Sequence, residues 1–207
     1  MASTRRRVCA PEFIWGPSLM SLPSIALASQ SPRRLQLLES AGFEVVVVRS
    51  RPEPALAPAG HGVQQAILSA LAKLPDVSLE RVTLSADTVV HLGERCLGKP
   101  RSPADAHTML EALAGNTHHV TTAVAFRHPG GVSHFSVSSE VHFRRLRRTE
   151  IERYVASGEP MDKAGAYGIQ GLGAGLIESV TGSHTAVVGL PLTETIEALA
   201  ELGVTPS

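Results

Sequence analysis

Cysteine is nearly absent, with only Cys9 and Cys96 in 207 residues. Two thiols build neither a disulfide framework nor a cysteine zinc site, so a reducing, cytoplasmic location is expected. A charge excess is absent too, with 19 basic against 19 acidic side chains. Nucleic-acid binders normally carry a basic surplus, so no nucleic acid is expected as partner. No run approaches the roughly 18 apolar residues of a membrane span, so no membrane is expected either. Internal repeats are also lacking. At 43% hydrophobic and 18% charged residues, the composition is that of an ordinary globular protein. Its length allows one sizeable core, in one domain or two lobes.

The opening "MASTRRRVCAPEFIWGPSLMSLPS" has early arginines but no continuous apolar segment. Pro11, Glu12, Gly16 and Pro17 interrupt it, which argues against a secretory signal. Residues 1–23 read as an arm or an over-extended start with Met20 as the true beginning; an organelle presequence is the other reading. The domain proper is expected over 24–207.

Strand patterns fall at 25–29, 43–48, 81–86, 119–127, 132–143 and 174–180, and helical ones at 32–41, 62–74, 103–114, 149–157 and 191–202. Ser31-Pro32 and Ser102-Pro103 are helix starts, with serine expected to cap the free N–H groups. "HPGG" at 128–131 predicts a hairpin turn. Alternation in the first half followed by a hairpin predicts an α/β fold with a mixed central sheet. "RRLRR" (144–148) reads as a solvated approach to a helix, and His118 and His119 point to opposite faces of their strand.

Three stretches carry chemistry. In "LASQSPRR", Arg33 and Arg34 occupy a helix's first turn, where the macrodipole disfavours cations. An anion held there by backbone N–H groups and guanidinium forks would turn that conflict to advantage; two solvated arginines are the plainer reading. In "LSADTVV", Asp87 is expected at the carboxyl end of a strand, where open α/β sheets place ligands. Its carboxylate suits a hard metal or a water, and the Thr88 hydroxyl a ligand hydrogen bond; a turn-forming aspartate is the alternative. Lys99, between Gly98 and Pro100, would add a fixed ammonium suited to polyphosphate. In "SGEPMDKAGAYGIQGLGAG", Gln170 offers donor and acceptor for a base edge among glycines that permit close approach. This string has no strand-to-helix frame, so a dinucleotide fingerprint is excluded.

Taken together, "LASQSPRR" (27–34), "SADT" (85–88), "GKP" (98–100), "GEPMDKAGAYGIQG" (158–171) and "VVGLPL" (187–192) span nearly the whole chain. In this order they resemble the Maf proteins, nucleoside triphosphate pyrophosphatases. The resemblance implies a two-lobed fold like that of the inosine triphosphate pyrophosphatases. It implies Asp87 as the carboxylate that activates water, and Ser29, Arg33, Arg34 and Lys99 as holders of the triphosphate. Arg33, Thr88 and Gln170 fit the branch acting on dTTP and UTP. The family's helical lysine falls on Lys73 in an ungapped count, and on Gln65 if a gap is allowed. A divalent cation is implied, Mg²⁺ with Mn²⁺ or Co²⁺ as substitutes. Asp87 is its expected ligand, with Glu53 and Asp162 as candidate second carboxylates. A homodimer is implied as well. The competing reading is a nucleotide-binding regulator of cell division or septum formation with weak or no catalysis.

Overall fold

The computed structural model describes residues 24–52, 62–76 and 81–206. The expected arm at 1–23 and Glu53 lie outside these residues.

Seven strands form one sheet: β1 (Ser24–Leu27), β2 (Glu44–Val47), β3 (Thr83–Leu92), β4 (Arg95–Leu97), β5 (Thr117–His128), β6 (Gly131–Phe143) and β7 (Ile177–Thr181). Among the described residues six α-helices accompany them: α1 (Pro32–Ser40), α2 (Gly62–Lys73), α3 (Pro103–Leu113), α4 (Arg148–Ala156), α5 (His184–Val188) and α6 (Leu192–Glu201). The strand order is β2-β1-β3-β5-β6-β7, with β4 pairing β3. Helical crossovers through α1 and α2 make β2, β1 and β3 parallel, whereas the tight turn after His128 forces β5 and β6 antiparallel. The fold is thus α/β, with a mixed sheet flanked by helices. Among the described residues no helix is long and apolar enough to cross a membrane.

β3 organises the core because its residues alternate between the two faces. Leu84 and Ala86 join Ile25, Leu27, Leu38, Val124, Phe126 and Leu199 under α1 and α6. Val90, further along that face, joins Leu110, Val120, Phe143, Ile151 and Tyr167 under α3 and α4. Thr88 and Thr122, directly opposite each other in register, lie between these clusters. The other face carries Val89, which packs with Ala66 and Ala70 of α2. Full burial of one leucine such as Leu38 or Leu84 stabilises by about 1.5–3 kcal/mol.

Three expectations need correction. β3 does not stop before Asp87; β5 pairs with it from Thr83 to His91, and this ladder overrides the aspartate's turn preference. The strand expected from 174 begins at Ile177, because Gly171–Leu176 forms a 3₁₀ turn whose early N–H groups bond the Glu159 carboxylate. Ser31 makes no side-chain cap; its own N–H donates to Ser29 Oγ, whereas Ser102 caps α3 by accepting from Asp105 N–H.

Candidate active site

The chain leaves β1 through α1 to reach β2 on one side, then returns through α2 to β3 on the other. Such a reversal opens a crevice outside the carboxyl end of the strand. β1 stops at Leu27, opposite Leu84, and β4 joins β3 only at Val90. The edge of β3 from Ser85 to Val89 therefore has no strand beside it among the described residues. Asp87 sits in mid-strand, yet at this gap, beyond the end of β1.

Asp87 and Thr88 leave β3 on opposite faces. On the α2 face, Lys73 closes the helix and donates from Nζ to Asp87 Oδ1 at 2.5 Å. The two side chains are 15% and 11% exposed, so the pair is shielded from bulk screening. Among the described residues the pair engages Oδ1, and Oδ2 can accept from a further donor or water. Gln65 lies two helical turns before Lys73, and its Oε1 is buried without a partner. Of the two candidates for the family's lysine, Lys73 is the one brought to the carboxylate.

On the opposite face the Arg34 guanidinium donates to Gly189 O at 2.8 Å, Ser29 Oγ at 3.1 Å and Thr88 Oγ1 at 3.2 Å. Ser29 Oγ also accepts from Ser31 N–H at 3.2 Å. With both lone pairs taken, this nearly buried hydroxyl keeps only its O–H, a donor suited to an anion. Arg33 follows in the first turn of α1, where no acidic side chain offsets the helix's positive end.

The glycine-rich segment is a built structure. The Glu159 carboxylate accepts from Tyr154 OH at 2.9 Å and from the N–H groups of Leu172 and Gly173 at 3.0 Å. Burial alone would raise its pKa, but the Gly173, Leu172 and Tyr154 hydrogen bonds prevail and hold it below the usual range. Gly173 is obligatory, since a Cβ there would stand 2.2 Å from Gly168 O. Gln170 is exposed at the head of the 3₁₀ turn. Lys163 ties the segment internally, donating to Glu159 O and to Asp162. The Lys163 hydrogen bond lowers the Asp162 pKa, and the Arg33 charge adds a little to it through space. Gly165 N–H donates to Gly98 O, which joins the segment to the loop bearing the exposed Lys99.

Asp87 and Lys73 on one face and Ser29, Arg34 and Thr88 on the other thus border one gap. Arg33 in the first turn of α1 and the exposed Lys99 and Gln170 make no side-chain hydrogen bond to this set among the described residues. Asp162 is exposed and already bonded to Lys163. Among the described residues no three of His, Cys, Asp or Glu gather at one metal position. A groove of about 630 Å³ between α3 and α4, lined by Pro103, His107, Val155 and Met161 among others, contains none of the expected site residues. Sequence reasoning assigned no role to Glu159, Thr122, Tyr167 or the carbonyls of Ala186 and Gly189. A glutamate heading a glycine run was a usable signal for the first, but two carbonyls and a strand threonine carried none.

The family described as Maf-like protein matches residues 24–202. A dTTP/UTP pyrophosphatase of Vibrio cholerae is 44% identical over 184 residues, covering 87% of this chain and 98% of its own. Another from Bacillus pumilus is 39% identical over 186 residues, covering 88% and 98%. One from Dechloromonas aromatica is 42% identical over 196 residues, covering 87% and 98%. The solved structure of the Staphylococcus aureus Ham1 protein aligns over 88% of this chain and 91% of its own, at a TM-score of 0.46 and 12% identity. At that distance the likeness carries no weight. A family match across nearly the whole described fold, with these relatives end to end, leaves one assignment: the chain belongs to the Maf-like protein family.

Proposed function

We propose that the protein is a nucleoside triphosphate pyrophosphatase that hydrolyses dTTP and UTP to the monophosphate and pyrophosphate. The observation that carries this reading is the Lys73–Asp87 pair, set in the same gap as the Ser29–Arg34 anion donors. The names of relatives 39–44% identical support the substrate class.

Phosphoryl transfer asks a protein mainly to position the attacking water and to neutralise developing charge. Lys73 anchors Oδ1 of Asp87, so Oδ2 can hold a water aimed at the α-phosphorus. Water adds there, the bond from the α-phosphorus to the bridging oxygen breaks, and pyrophosphate leaves with the electron pair. Asp87 takes up the water's proton. Arg33, Arg34, Lys99 and the Ser29 hydroxyl offset charge along the leaving group. Gln170 reads the base edge.

A divalent cation fits this donor set in one manner. Mg²⁺ binds through one or two carboxylates, with the substrate's phosphates and water completing its shell. Asp87 would be its protein ligand, and the exposed Asp162, which gives its Oδ1 to Lys163, would be the candidate second carboxylate through Oδ2. Bound there, the cation would neutralise phosphate charge. Mn²⁺ or Co²⁺ would serve in its place. The protein would act as a cytoplasmic homodimer on free nucleotides, since its balanced charge offers nucleic acid no general attraction.

Incubation with dTTP and Mg²⁺, with products resolved by anion exchange, tests the reading. Thymidine monophosphate and pyrophosphate in equal amounts are expected. Thymidine diphosphate and phosphate, or no turnover, would overturn it.

A further inference from the structure

The two apolar clusters on the α1 face meet at Thr88 and Thr122, and this polar seam has a fixed direction. Thr122 is fully buried, and its hydroxyl donates to Ala186 O at 2.7 Å. A hydroxyl has one proton to give. With that proton committed, the 2.9 Å contact between Thr122 Oγ1 and Thr88 Oγ1 has only one sense, in which Thr88 donates. Thr88 in turn accepts from Arg34 Nη2 at 3.2 Å. A relay therefore runs from Arg34 through Thr88 and Thr122 to the Ala186 carbonyl. Arg34 Nε closes the circuit on Gly189 O, three residues further along the same segment.

We propose that Thr122 is a positioning residue for the phosphate grip. By taking the Thr88 proton it turns a Thr88 lone pair towards Arg34 and so fixes the plane of the guanidinium. The proposal rests on the reading of Arg34 as a triphosphate contact. It also alters the part assigned to Thr88, whose proton is spent inside the protein. Thr88 donates nothing to a nucleotide, and its influence on the ligand passes through Arg34. Without the Thr122 hydroxyl, the Thr88 proton loses its acceptor and can swing towards the guanidinium N–H, where two donors repel.

Inorganic tripolyphosphate, which has no base, reports the grip directly by calorimetry with the full chain. Thr122→Val is expected to weaken its binding about 2- to 10-fold, the scale of one lost hydrogen bond between neutral groups. Thr122→Ser, which keeps the hydroxyl, should bind as the wild type does. Thr88→Val should match Thr122→Val, and the double variant should be no weaker than either, because both act through one chain. With dTTP, KM should rise by more than kcat falls. A folded Thr122→Val that binds tripolyphosphate normally overturns the proposal. So does a Thr122→Ser variant as weak as the valine, or losses that add in the double variant. If Thr122→Val does not fold, Thr122→Ser and Thr88→Val decide alone, with normal and weakened binding respectively as the required pair. Wild-type protein that binds tripolyphosphate yet leaves dTTP intact sinks the hydrolytic reading and not the relay; wild-type protein that ignores tripolyphosphate sinks both.

Discussion

Lys73 and Asp87 form a short, shielded ion pair between the last residue of a helix and the middle of a strand. The pair joins α2 to the sheet at the edge gap that β1 and β4 leave on β3 among the described residues. Lys73→Met removes the group that orients the carboxylate, and turnover should fall about 10²- to 10⁴-fold. Asp87→Asn should fall at least as far while keeping the native circular dichroism spectrum. Because the two act as a unit, the double variant should be no slower than Asp87→Asn alone. Steady-state kinetics on the three variants checks this. Additive losses would show that Lys73 works on the substrate independently of Asp87.

Glu159 is the fastener of the glycine segment. Its two oxygens receive one phenol and two backbone N–H groups, and Gln170 lies between the ends it ties together. Glu159→Gln replaces one of these acceptors with an NH₂ facing donors, at a cost of about 1–3 kcal/mol. Amide exchange at Leu172 and Gly173 should quicken while exchange in β5 stays slow. If Gln170 reads the base, preference for dTTP over dCTP should narrow as the segment loosens. Unchanged discrimination beside faster exchange would remove Gln170 from that role.

Much of this was legible in the sequence because local rules act there without competition. The helix starts at Pro32 and Pro103, and the hairpin after His128, follow from proline, serine and paired glycines. Every long helix stands within two residues of its expected bounds. The failures share a cause, which is that a distant partner decided the local structure. Asp87 stays in a strand because β5 pairs with it, and Gly171–Leu176 winds into a turn because a carboxylate 13 and 14 residues before them binds the Leu172 and Gly173 amides. Ser31 makes no cap; its own N–H is drawn to Ser29 Oγ, two residues away and held by Arg34. At the candidate site, residue types and spacing selected Asp87, Lys73, Ser29, Arg34 and Thr88, which the fold brings to one gap. They did not indicate that Asp87 and Thr88, adjacent in sequence, serve opposite faces of the sheet.

His118 ties the glycine segment to the core and should make stability fall on acidification. It is fully buried on β5, and its Nε2 lies 2.7 Å from Tyr167 OH, with the ring edge-on to Phe143 and Tyr167. Burial first, then the nearby His119, His91 and His142, lowers its pKa from 6.5 to about 4. The folded state thus resists protonation that the unfolded chain accepts. A group with its folded pKa depressed contributes stability that is complete above the unfolded value of 6.5. That contribution is lost as pH falls towards 4, at up to about 1.4 kcal/mol per pH unit. Between pH 7.5 and 5 the wild type should lose about 2 kcal/mol through this group. His118→Gln keeps a polar atom for Tyr167 but does not titrate, so its urea midpoint should fall less over the same interval. A parallel fall in both proteins would mean that the acid sensitivity arises elsewhere, with the partly exposed His91 the next group to replace.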